Sequence, residues 1–270
     1  MGDDDMVRLI ALDLDDTLLT TDKQISRKNR EALKACMDRG IRVVTASGRF
    51  NESQLVFIKN VGLGLEKEYH VGDGGGTIFN EDKILKVMGA IDKSRYLSVL
   101  SQTRELKVPC FVATSHNMFY DIPDQPLCRV YGKVPGVRRP YIEQLEDLSA
   151  IENALKFVFS YQSEEELERI QSIRCDGTIT FHAGRNLMEI TMESLNKFAA
   201  LTELAGLYGI ATDEMACIGD SENDIPMIEG AGLGMAVKNA MDSVKKHADI
   251  VGEKTNDEDG VAWLLEKYIL

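Results

Sequence analysis

The chain has 270 residues, a formal net charge of −13 and a hydrophobic share of 44%. That length holds one large domain or two modest ones. The acidic balance excludes nucleic acid and anionic lipid as partners, because both demand a basic surface.

No apolar run is long enough to cross a bilayer, and the acidic start MGDDDM is unlike a signal peptide. Five cysteines, at positions 36, 110, 128, 175 and 217, are widely spaced and contain no CxxC pair. They fit a reducing cytoplasm better than a disulfide framework or a zinc site.

Residues 8–12, RLIAL, read as a buried strand, after which Asp13, Asp15 and Asp16 crowd three carboxylates into four positions. Repelling charges at a strand end mean either that the strand surfaces there or that a cation binds. SRKNREALKACMDRG follows as a helix, with Ser26 as N-cap, an apolar stripe of Ala32, Leu33, Cys36 and Met37, and Gly40 as the stop. IRVVTASG is the next buried strand and NESQLVFIKNVGL the next helix. This βαβα order predicts a parallel, doubly wound sheet.

Near residue 70 the rhythm changes. HVGDGGGTIFNEDKILKVMG reads as a Gly-rich turn feeding a hairpin that bends at Asn80-Glu81-Asp82. Residues 84–186 mix strands such as CFVATS, LKFVFSY and TITFHA with polar helices such as SEEELERIQSI, an α+β pattern that predicts a second domain. From 187 the helix–strand alternation returns. NKFAALTELAGLYG places Phe198, Leu201, Leu204, Ala205 and Tyr208 on one helical face, and MACIGD is a short strand. The expected division is a core of residues 1–83 and 187–270, interrupted by an inserted domain of residues 84–186.

Ligands of open parallel sheets bind where strands end, and four polar signals fall at such ends. They are Asp13-x-Asp15-Asp16-Thr17, Ser47-Gly48-Arg49, Lys197 opening the helix after LMEITMESLN, and Gly219-Asp220-Ser221-Glu222-Asn223-Asp224 after MACI. Singly, each has a plain structural reading: a solvated strand end, a helix cap, a surface lysine, an Asx-rich turn. Together and in this order they resemble the haloacid dehalogenase-like hydrolase superfamily, specifically its Cof-type sugar-phosphatase branch with a large cap between the second and third motifs. DLDDT matches the family's DxDxT, SGR stands where TGR is common, Lys197 matches the lysine motif, and GDSEND matches GDxxND. DEDGVAWLLEKYIL resembles the family's C-terminal helix.

The resemblance implies a Rossmann-like α/β core with an inserted α+β cap. It also implies Mg²⁺-dependent hydrolysis of phosphomonoesters of small metabolites, sugar phosphates foremost, through an aspartyl phosphate. Asp13 matches the nucleophile and Asp15 the general acid and base. Ser47, Gly48, Lys197 and Asn223 match phosphate-binding positions. Asp13, Asp220, Asp224 and the Asp15 backbone carbonyl match Mg²⁺ ligands. Mg²⁺ and Lys197 would reverse the local sign, so the net charge does not bar a phosphate substrate. The rival readings are a phosphomutase on the same scaffold and a non-catalytic phosphate-binding or signalling module. The expected state is a monomer or a weak homo-oligomer.

Weaker signals complete the reading. Arg49 and Asp73 are candidates for substrate contact, with a salt bridge and a plain turn as their alternatives. Phe198, standing where many relatives carry Gly, is expected to tighten the pocket, and AVKNA to set Lys238 near the core. His182-Ala-Gly-Arg185 is read as a cap loop facing the site, and Arg138 and Arg139 as a solvated basic spot. His70, His116, His182 and His247 lack metal spacing and are read as structural or surface residues.

Overall fold

The computed structural model describes residues 7–131, 142–184 and 186–270. The chain forms two compact units. One contains the chain up to Arg49, Gln54–Lys86 and Asn196–Leu270; the other contains Val87–Leu195 together with Phe50–Ser53.

The first unit is built on a five-stranded parallel sheet in the order Ile250–Val251, Leu233–Ala236, Met215–Gly219, Leu9–Leu12, Arg42–Thr45. Strand Leu9–Leu12 is fully buried, as its unbroken apolar run requires of a central parallel strand. Alternate side chains Ile10, Leu12, Val43, Ala216 and Ile218 join Leu33, Cys36, Leu264 and Leu265 in one apolar cluster. Helix Arg27–Asp38 starts at Ser26, whose hydroxyl accepts from the Asn29 amide at 3.1 Å, so the sequence-based cap is the real one. A hairpin of His70–Gly72, Thr77–Phe79 and Ile84–Val87 adds on through a parallel bridge from Val71 to Ala46. Its bend lies at Asn80, whose side chain accepts from the Asp82 and Lys83 amides.

The strand order reverses direction at Leu9–Leu12. Later segments run to one side of it and earlier ones to the other, which makes the carboxyl ends of Leu9–Leu12 and Met215–Gly219 the topological switch point.

The second unit carries a six-stranded sheet, antiparallel except for its last pair. Its order is Thr178–Gly184, Leu187–Met192, Lys156–Ser160, Phe111–Ala113, Met118–Tyr120, Ile142–Gln144. Helices Lys93–Glu105 and Glu164–Ser172 cover one face, where Tyr96, Val99, Leu100 and Ile170 pack on Phe157, Phe159, Met188 and Ile190. The opposite face gathers Phe111, Met118, Leu127 and Val158 with Phe50. Near the two ends of the long segment, Gly89 backs onto the Leu195 side chain.

Two sequence expectations need adjustment. LMEITM, taken as the return to the core, pairs with Lys156–Ser160 and Thr178–Gly184, so the second unit runs to Leu195 and not to 186. Its apolar–polar alternation fits a one-face-buried strand of either sheet, and only its antiparallel partners decide. His182 lies within strand Thr178–Gly184, not in a loop. Arg138, Arg139 and Arg185 fall outside the described residues.

Candidate active site

Asp13 is the first residue past strand Leu9–Leu12, and its amide still bonds the Ile218 carbonyl at 2.9 Å. The backbone then changes course within a few residues. Asp15 is extended (φ −72°, ψ 126°) and Asp16 left-handed (φ 60°). The turn closes with the Leu19 amide on the Leu14 carbonyl at 2.8 Å. Asp220 follows strand Met215–Gly219 directly. Because Leu12 pairs with Ile218 in the parallel register, the two strand ends deliver Asp13 and Asp220 to the same edge of the sheet.

Asp224 joins them by folding back along its own turn. Its Oδ2 accepts from the Asp220 and Ser221 amides, both at 3.0 Å, and from the Ser221 hydroxyl at 3.2 Å. Only glycine tolerates this at 219, since a Cβ there would lie 2.6 Å from Asp224 Cβ. Carboxylate oxygens of Asp13, Asp220 and Asp224 come within 4.8 Å of one another.

Lys197 supplies the nearby cation. It opens helix Lys197–Leu207, capped by Asn196, and its ammonium donates to Asp13 Oδ1 at 2.7 Å and Asp224 Oδ1 at 2.6 Å. The helix start sits hard against the 73–75 turn: Gly75 has φ +111°, and a Cβ there would lie 2.3 Å from the Asn196 carbonyl oxygen. A side chain at 75 would therefore push the lysine out of reach. Lys197 is 1% exposed and Asp224 0%, so the surface-lysine reading does not hold.

The charges do not balance. Burial pushes the Asp13 carboxyl well above the usual carboxylate range, Lys197 pulls it back, and Asp224 and Asp220 add to the push. Asp220 is pushed up to about 7, first by burial and then by the Asp224 charge, against a 2.7 Å bond from the Thr17 hydroxyl and the Lys197 charge. Burial alone would lower Lys197, but its two carboxylate partners outweigh burial and raise it. Two carboxylates 4 Å apart repel by about 4 kcal/mol at an effective dielectric of 20. One ammonium among three such groups leaves room for a further positive charge.

The donor set suits a hard divalent cation, which prefers carboxylate oxygens. Among the described residues, Asp13 and Asp220 each keep one oxygen without a protein donor, whereas both oxygens of Asp224 are already bonded. Asp224 thus holds Lys197 and the turn, and Asp13 and Asp220 are the better placed to coordinate.

The hydroxyl signal lies on the same unit. Ser47 is 1% exposed, its amide bonds the Val71 carbonyl at 3.0 Å, and its hydroxyl accepts from the Arg49 amide at 3.1 Å instead of capping a helix. Gly48 faces Asn223, whose Nδ2 would be 3.9 Å from a Cβ at 48. The Asn223 side-chain oxygen accepts from the Ser221 hydroxyl at 2.8 Å.

Asp15 differs from the other acids. Arg49 grips it with Nε on Oδ2 at 2.5 Å and Nη2 on Oδ1 at 2.7 Å, and Lys23 adds a 2.9 Å contact to Oδ1. Burial pushes this carboxyl up, but the bonds and charges of Arg49 and Lys23 prevail and hold it below the usual range. Of the two candidates for substrate contact, Arg49 therefore forms a salt bridge. Asp73 takes φ 53° in its turn, where its carboxylate accepts from the Thr77 hydroxyl at 3.4 Å.

The Phe198 ring packs where Gly230 leaves space, since a Cβ at 230 would lie 2.3 Å from it. Lys238 is exposed. Thr17, Gly75 and Gly219 support the site and received no role from the sequence. Thr17 and Gly219 each carried a signal, as the last residue of DLDDT and the first of GDSEND.

A sequence model of haloacid dehalogenase-like hydrolases matches residues 10–265. The 5-amino-6-(5-phospho-D-ribitylamino)uracil phosphatase YwtE of Bacillus subtilis is 29% identical, over 97% of this chain and 98% of its own. Phosphatase YwpJ of the same organism is 28% identical, over 98% of this chain and 100% of its own. A crystal structure of a haloacid dehalogenase-like hydrolase from Bacteroides thetaiotaomicron superposes with a TM-score of 0.81 at 26% identity, covering 97% of this chain and 99% of that one. The chain belongs to the haloacid dehalogenase-like hydrolases, in the Cof-type branch.

Proposed function

We propose that the protein is a Mg²⁺-dependent phosphatase that hydrolyses phosphomonoesters of small metabolites through an aspartyl phosphate on Asp13. The observation that carries this reading is the meeting of Asp13, Asp220 and Asp224 around a buried Lys197 at the switch point of the sheet. Asp13 and Asp220, with the Asp15 carbonyl, would hold Mg²⁺; when bound, the ion offsets phosphate charge and draws electron density from phosphorus.

The remaining steps belong to the chain. The Asp13 carboxylate attacks phosphorus, and the bond to the leaving oxygen breaks as Asp15 gives that oxygen a proton. A water molecule then attacks the same phosphorus, gives a proton to Asp15, and releases Asp13 and inorganic phosphate. Lys197 stabilises the charge on the transferring group. Ser47, the Gly48 backbone and Asn223 orient the phosphoryl oxygens.

We assign substrate selection to the second unit. The phosphorylated ribityl chain named for YwtE supports a phosphorylated sugar or polyol as the substrate class. The acidic, cysteine-reduced chain suits the cytoplasm.

The test is phosphate release from p-nitrophenyl phosphate and from a panel of hexose, pentose and polyol phosphates, with Mg²⁺ and with EDTA. Mg²⁺-dependent release without any sugar acceptor is the expected result. Release only when an acceptor sugar is present would make the protein a mutase, and no turnover of any phosphomonoester would end the reading.

A further inference from the structure

We propose that Arg49 is a positioning residue for Asp15, aiming the carboxylate that moves the protons; this rests on the acid–base role assigned to Asp15 above. The backbone does not fix that side chain by itself. Asp15 sits between the strand end and left-handed Asp16, in a turn tied by the Leu18 amide on the Asp13 carbonyl at 3.4 Å and the Leu19 amide on the Leu14 carbonyl at 2.8 Å. What fixes the plane of the carboxylate is the guanidinium fork, with one nitrogen on each oxygen at 2.5 and 2.7 Å, to which Lys23 adds a single ammonium contact on Oδ1 at 2.9 Å. A planar fork sets both the distance and the plane of a carboxylate, which a point charge cannot do.

Arg49 is itself held firmly. Its amide donates to the Ser47 hydroxyl at 3.1 Å, and its carbonyl accepts from the Asp73 amide at 2.9 Å. Its guanidinium lies 4.5 Å from the centre of the Phe57 ring. The loop that presents Ser47 therefore also sets the aim of Asp15, from three residues of one motif.

The two oxygens aimed by the fork belong to the group that would take a proton from water while the O–P bond to water forms and the P–O bond to Asp13 breaks. The proton gained there is the one passed to the next leaving oxygen, so the cycle closes. Misplacing a reacting group by about 1 Å can cost on the order of 10²-fold in rate.

A double-mutant cycle on the full-length, Mg²⁺-loaded enzyme tests this. Asp15→Asn should lower kcat by about 10²- to 10⁴-fold. Arg49→Ala should lower kcat by about 10²-fold with KM near its original value. Placed on Asp15→Asn, Arg49→Ala should cause almost no further loss, because the group it aims is already disabled. Arg49→Lys, which keeps the charge and the fold but not the fork, should show the same loss and the same coupling in smaller degree.

Equal losses in both backgrounds, or a raised KM with kcat intact, would overturn the proposal, the second by making Arg49 a substrate ligand. A wild-type enzyme inactive on every phosphomonoester would overturn this proposal and the phosphatase reading together. An active wild type with additive losses would overturn this one alone.

Discussion

Two buried lysines of this molecule meet carboxylates in different ways. In the second unit, Lys156 on strand Lys156–Ser160 donates to Glu189 on the neighbouring strand at 2.9 Å, with side chains 7% and 10% exposed. In the first, Lys197 stands between Asp13 and Asp224 while Asp220 lies within 4.8 Å of both. The first arrangement spans neighbouring strands of one sheet. The second gathers acids from two strand ends and a turn, and leaves them in excess. A buried lysine and glutamate on neighbouring strands specify packing; an excess of negative charge at a switch point favours a further cation.

The largest effect should come from the unbalanced cluster. Asp13→Asn is expected to lower kcat by on the order of 10⁴-fold or more, yet to leave the denaturation midpoint of the metal-free protein unchanged or higher, because it removes one of the crowded charges. A parallel loss of activity and stability would make Asp13 a structural acid. The Lys156–Glu189 contact should behave oppositely. Lys156→Met should destabilise by about 3–5 kcal/mol, and the double replacement Lys156→Met with Glu189→Leu should recover most of that. Urea unfolding of both variants would show it, and a double variant as weak as the single would undo the contrast.

Asp220→Asn should raise the Mg²⁺ concentration for half-maximal activity by about 10- to 100-fold, while Asp224→Asn should act chiefly on kcat through Lys197. Equal metal midpoints in wild type and Asp220→Asn would remove Asp220 from the coordinating set.

The smallest effect belongs to His70, which is buried and far from balanced titration. The Thr45 amide donates to its Nδ1 at 3.0 Å, so Nε2 carries the hydrogen and donates to the Leu65 carbonyl at 2.8 Å. Burial lowers its pKa to about 4 against an ordinary 6.5. Between those values the unfolded chain binds a proton that the folded one refuses, so stability falls as pH drops below about 6.5. The loss between pH 7 and pH 5 should be about 2 kcal/mol. A His70→Gln variant should lose that share of the pH slope, and an identical slope would show that His70 takes up its proton alike in the folded and unfolded chains.

Much of this was legible in the sequence, for local reasons. RLIAL followed by DLDD contains both the buried strand and its charged end, and GDSEND contains its own turn, so each could be read without a partner. The strand LMEITM could not be assigned to a sheet, since its pattern suits any half-buried strand and its partners lie about thirty residues upstream or just before it. The Arg49–Asp15 grip was open between substrate and salt bridge, because the partners are 34 positions apart and nothing in either motif points at the other. The packing roles of Gly75 and Gly219 were hidden for a different reason: a missing Cβ becomes meaningful only when one knows which atoms press on it.

Gly89 and Leu195 touch, although more than a hundred positions separate them in the chain. An excursion that departs and returns at one spot asks nothing of the segments before and after it except that they meet. Such a junction lets evolution, or a protein engineer, exchange the intervening segment for another of different size without moving the two points where it begins and ends.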